Sequence, residues 1–231
     1  MNIAKSLKML SVLIAVLLAF VPLAGAGVYF ESDQVSQGVP GQPDGTQHVK
    51  NYLTEHASRV ETTDRIIITN YDSGVMYQID PQAKTYDEVD LANMGMPKME
   101  AKESEALQAM MKKMMGQLTV VPTGETEKIA GYPCQKYLVK IMMMQNEYWV
   151  SNKVPGYDEL TAIGKKVAGL FNQNPMLKQM NIAAMMTELD GFPVKTVMNM
   201  MNGQTTTTLT RIEKKAFSKD LFQVPAGYQK K

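Results

Sequence analysis

Short β-branched runs bounded by turn residues govern what this chain can become. Arg65-Ile66-Ile67-Ile68-Thr69-Asn70-Tyr71 is the clearest, and it runs straight into Asp72-Ser73-Gly74. Residues 75–79 form a second run, Asp80-Pro81-Gln82-Ala83 a second turn, and 84–89 a third run. Strands joined by turns this short pair antiparallel, because a parallel neighbour needs a crossover of about a dozen residues or more. Similar runs occupy 28–35, 48–53 and 58–63, and later 126–130, 134–144 and 147–151, with Gln145-Asn146 expected at a hairpin tip. A last hairpin is expected from 193–201 and 204–214 around Asn202-Gly203, a pair that tolerates the positive φ of a type I′ turn. Residues 223–228 are expected to add an edge strand.

Between these runs the apolar period changes. Leu107, Met110, Met111, Met114, Met115 and Leu118 recur at helical spacing, with Glu100, Glu103 and Glu105 before them and Lys112 and Lys113 near the end, as the helix dipole favours. Leu160, Ile163, Val167, Leu170 and Phe171 make a second helical face. Asn174-Pro175 suits a third helix start. That helix is expected to run to about Leu189, with Met176, Leu177, Met180, Met185 and Met186 around most of its circumference. The expected fold is therefore α+β: a curled antiparallel sheet with about three helices covering its concave face.

The chain opens with an export signal. Lys5 and Lys8 precede an apolar run from Met9 to Val21, and Ala24-Gly25-Ala26 fits a small-x-small cleavage site. The run is short for a bilayer span. We expect residues 1–26 to be a signal peptide cleaved after Ala26, and 27–231 to be one domain in the periplasm, or outside the cell. Later apolar stretches are broken by charges, so no integral membrane segment is expected after cleavage. Loss of Lys5 and Lys8 takes the formal charge from +1 to −1, which gives no reason to expect nucleic acid as a partner.

The segments Ser58-Arg59-Val60-Glu61, Met76-Tyr77-Gln78-Ile79-Asp80, Lys84-Thr85-Tyr86, Ile129-Ala130-Gly131-Tyr132-Pro133-Cys134-Gln135-Lys136-Tyr137 and Tyr148-Trp149-Val150-Ser151, with the tail Phe222-Gln223-Val224-Pro225-Ala226-Gly227-Tyr228, resemble the LolA/LolB-like periplasmic proteins. The likeness is strongest to a bacterial branch described only as a domain of unknown function. It implies a half-open antiparallel barrel with helices in its mouth, where some members hold acyl chains. It also implies an arginine that latches a lid, for which Arg59 is the nearest candidate.

Chemistry-bearing residues are few. One cysteine and two histidines leave no disulfide framework and no multi-Cys metal site. Cys134 sits in a strand-like run and is expected to be a buried thiol. His48 and His56 lie on polar segments and are expected at the surface. No nucleophile elbow, phosphate loop or zinc-protease motif is present, so no catalytic residue and no cofactor is expected. The unusual feature is 20 methionines. Thioether sulfur is a soft ligand for copper(I), yet Met142, Met143 and Met144 on one strand would point to alternate faces. Flexible methionine also suits surfaces that fit varied apolar partners. A cavity lined by Leu107, Met110, Met111, Met114, Met115, Met180, Met185 and Met186 would bind a lipid or the acyl chain of a lipoprotein. The same residues would serve equally in the closed core of an interaction module.

Overall fold

The computed structural model describes residues 25–94, 118–141, 144–174, 178, 185, 187–200 and 203–231. The strands are β1 (Gly25–Gln37), β2 (Gly45–Thr54), β3 (Ala57–Glu61), β4 (Ile66–Asn70), β5 (Val75–Asp80), β6 (Thr85–Asp90), β7 (Thr119–Ile129), β8 (Tyr132–Ile141), β9 (Met144–Ser151), β10 (Phe192–Met200), β11 (Gly203–Phe217) and β12 (Gln229–Lys230). They form one sheet in the order β12-β6-β5-β4-β3-β2-β1-β11-β10-β9-β8-β7, with its two ends unpaired. The order is two meanders, β1–β6 and β7–β11, joined by the long β1–β11 ladder. Every pairing is antiparallel except β12 with β6.

The expected complement of three helices is corrected. Among the described residues there is one α-helix, α1 (Tyr157–Phe171), beside two short 3-10 turns, Leu91–Asn93 and Lys219–Phe222. Among the described residues the protein is a curled, unclosed sheet with one helix, and not an α+β domain under three helices. The described residues are instead dominated by β-branched runs that pair edge to edge, so most of them are strand. The other two expected helices, around Leu107–Leu118 and behind Asn174-Pro175, fall largely outside the described residues.

Three turns also differ from expectation. Ile141 pairs with Met144, so Gln145 and Asn146 belong to β9. Asn146 is buried there, and its Oδ1 accepts from the Asn199 amide at 3.0 Å; a polar residue bonded across strands had looked like a turn. Met200 pairs with Gly203, which shifts the last hairpin tip one residue earlier than Asn202-Gly203. Gly203 serves a close approach instead, because a Cβ there would lie 2.5 Å from the backbone of Gly38 and Val39. The 223–228 edge strand is absent: Tyr228 closes a turn on Pro225, and only Gln229 and Lys230 pair with β6.

Alternation along the strands sorts residues between two faces. Register places Val28, Phe30, Leu53, Val60, Ile67 and Met76 on the face that carries α1, which we call the inner face, with Tyr137, Val139 and Tyr148 on the β8–β9 side. Tyr29, Tyr52, Arg59, Ile68 and Ile79 lie on the outer face. There the C-terminal segment folds back, with Phe217 and Phe222 in edge-to-face contact at 6.0 Å and Ile68 and Ile79 shut from solvent. Cys134 is buried, as expected; burial pushes its thiol pKa up, and the thiol donates to the Tyr132 carbonyl at 3.4 Å.

Candidate functional site

The site is built where α1 crosses the inner face. The helix starts at Gly156, whose φ of 76° turns the chain sharply and sets its α-carbon against Val28, leaving no room for a Cβ. Asp158 and Glu159 lie in the first turn, where the helix dipole favours negative charge. Ile163 and Ala168 are buried toward the sheet. Two ion pairs tie the helix to different strands: Lys166 to Asp72 after β4, and Glu159 to Lys214 on β11. Asp72 also accepts from His56 at 2.8 Å, and the Lys166 contact, then His56, holds its carboxyl below the usual range. The end of the helix is fixed by Asn174. Its fully buried amide donates to the carbonyls of Leu91 at 2.8 Å and Met94 at 3.0 Å, tying α1 to the segment that leaves β6.

Held in this way, α1 leaves a cavity of about 540 Å³ between itself, Leu53 and Tyr71 on one side, and Tyr148 and the 185–193 segment on the other. Its walls are mainly apolar. Tyr157, Leu160, Ile163 and Val167 come from α1, Met185 and Leu189 from the segment after it, and Phe192 from the start of β10. Tyr71 and Tyr148 set aromatic walls, and burial pushes both phenol pKa values up. Thr161, Lys165, Thr187 and Asp190 supply the polar groups. The arrangement suits a ligand with an apolar body and a polar end.

Of the residues expected to line an apolar cavity, Met185 is in its wall. Leu107, Met110, Met111, Met114, Met115, Met180 and Met186 lie outside the described residues. Arg59 is elsewhere. Its guanidinium lies on the outer face, donating to Glu61 at 2.5 Å and to the Leu221 carbonyl at 3.1 Å, so the piece it holds is the C-terminal 3-10 turn and not α1. Met198 and Met200 are exposed on β10, and among the described residues no three histidine, cysteine or carboxylate side chains group to hold a metal. The spacing of Leu160, Ile163 and Val167 marks a helix face but not a cavity wall, and Leu53, Tyr71 and Phe192 carry no local signal of a site. These are a strand end, a turn and a strand start that only register brings together.

An unclosed, curled antiparallel sheet with a helix lying across its inner face over an apolar cavity defines the structural class. Within it, the chain belongs to the family described as a domain of unknown function, DUF4412, whose profile matches residues 41–228. No curated protein matches the chain. An uncharacterized conserved protein from Thermus thermophilus is similar in fold over 96% of this chain and 98% of its own, with a TM-score of 0.50 at 7% identity. Looser likenesses include PNGF-II, at TM-score 0.43 and 14% identity over 90% of this chain. This chain spans only 31% of that protein's length. A putative outer membrane lipoprotein-sorting protein domain from Vibrio parahaemolyticus is similar at TM-score 0.33 and 8% identity, over 86% of this chain and 89% of its own. No helix among the described residues is long and apolar enough to cross a membrane.

Proposed function

We propose that the protein is a non-enzymatic cell-envelope protein that holds a lipid, or the acyl chain of a lipoprotein, in the cavity under α1. The observation that carries this reading is the cavity itself. It is an open cleft of about 540 Å³ walled mainly by tyrosine, leucine and methionine side chains with a few polar groups at its edge, the size and character of a small-molecule site. Export belongs to the same reading. The β1–β2 ladder begins at Gly27, so cleavage after Ala26 removes only β1 residues that pair with the end of β11. N-terminal sequencing of secreted material should begin at Gly27, and a retained Met1 in a membrane fraction would contradict export.

The binding test pairs uptake with stability. The lipid-extracted protein should take up a fluorescent fatty acid saturably, and Met185→Gln should weaken that uptake while leaving the melting temperature close to that of the wild type. In a closed core the same substitution would bury an amide without a partner, at about 1–3 kcal/mol. Absence of saturable uptake, together with such a stability loss, would replace the carrier reading with a closed interaction module.

A further inference from the structure

We infer that a second, polar cavity on the inner face, at the opposite end of β1 from α1, binds a neutral polyhydroxylated ligand, either an oligosaccharide or the sugar headgroup of a glycolipid. The cavity is about 630 Å³. Gln34 and Ser36 of β1 and Gln47 of β2 form its inner-face wall, and the loops after β1 and β3 form its sides. Ten of its 15 lining residues carry polar side chains, which sets it apart from the mainly apolar cleft beside α1.

Charge narrows the class further. Two aspartates face one arginine, so the cavity is net −1 and does not favour an anion. The carboxylates are already engaged. Asp44 accepts from the Gly38 amide at 2.7 Å, and Asp64 from Thr62 at 2.9 Å and Gln47 at 3.3 Å. Among the described residues no third histidine, cysteine or carboxylate groups with them to hold a metal ion. The groups left over are different in kind. The Gln34 amide, the Thr63 hydroxyl and the Arg65 guanidinium line the cavity and make no side-chain hydrogen bond among the described residues. An amide and a hydroxyl each donate and accept. A sugar hydroxyl needs both from its partner, and a guanidinium adds paired donors for vicinal oxygens. Half-buried Val60 and Ile67 lie among these groups and offer apolar surface to the C–H face of a sugar ring.

The test is isothermal titration of the full chain with maltose, cellobiose and N,N′-diacetylchitobiose. At least one should bind saturably, with a Kd on the order of 1 mM or tighter. The double variant Gln34→Ala with Thr63→Ala should weaken binding about tenfold or more at an unchanged melting temperature, because neither side chain makes a hydrogen bond or ion pair among the described residues. Dodecyl maltoside below its micelle concentration separates the two sources. Affinity well above that of maltose assigns the site to a glycolipid headgroup, and affinity equal to it assigns a free oligosaccharide. Two results would overturn the site: no saturable heat from any of the neutral sugars, or binding that the double variant leaves intact.

Discussion

Filling the cavity under α1 should stabilise the protein and block its use, and Val167→Phe is the substitution that reads both. Val167 lies on the helix and lines the 540 Å³ space. Phenylalanine adds four carbons at that position. At about 0.8 kcal/mol per buried methylene they would contribute at most about 3 kcal/mol. Ordering the larger side chain and its partial exposure reduce this to about 1–2 kcal/mol. Valine and phenylalanine have similar helix propensity, so the helix itself is unaffected. In a protein of this size about 1 kcal/mol moves the midpoint by about 2–4 °C, so the variant should melt about 2–8 °C higher once lipid has been extracted. A titration with the fluorescent fatty acid should show weaker uptake than wild type. The closed-core reading gives the opposite sign, because methylenes forced into a filled interior cost about 1–3 kcal/mol. A lowered midpoint, with uptake unchanged, would refute the cavity as a working space.

Gly203→Ala should destabilise the protein by about 1–3 kcal/mol, since its methyl would meet the Gly38 and Val39 backbone at 2.5 Å; an unchanged thermal midpoint would mean that the loop after β1 does not pack on β11. His48 bridges Asp33 at 2.8 Å and Glu31 at 2.9 Å, and the hydrogen bond to Asp33, joined by Glu31, raises its pKa above the ordinary value. Its contribution is therefore complete below about pH 6.5 and lost as the pH rises through the raised value. His48→Gln should cost stability in acid and little above pH 8, by no more than about 1 kcal/mol because the pair is exposed to solvent; a cost independent of pH would contradict the bridge.

The sheet was legible because its signals are local. The Ile66-Ile67-Ile68 run, the Asp72-Ser73-Gly74 turn and the Asp80-Pro81 turn each state a strand or a reversal within a few residues, and β4 to β6 follow them closely. The α1 face was legible for the same reason. What failed were features set by partners far along the chain. Asn146 is a strand residue because Asn199 is beside it, and Gly203 is a glycine because Gly38 is. The outer-face role of Arg59 depends on Leu221, 162 residues away. The cavity is of this second kind. Its helix could be read from spacing, but Leu53, Tyr71 and Phe192 meet only after the two meanders join at β1 and β11.

The width of the sheet explains why a cavity forms at all. Twelve strands at about 4.8 Å spacing span roughly 55 Å of hydrogen-bonded width, whereas a helix with its side chains is about 10 Å across. Even strongly curled, such a sheet presents more inner face than α1 can seal. The burial pattern follows that mismatch. Val28, directly beneath the helix start, is fully shut from solvent, while Val60, Ile67 and Met76, further along the same face, are only half-buried. The ion pairs to Asp72 and Lys214 and the Asn174 clamp hold α1 at its sides and its end, while burial of Ile163 and Ala168 seats it. The cleft that remains beside α1 is open to solvent and mainly apolar in its walls. An apolar ligand is the filling whose chemistry the walls match.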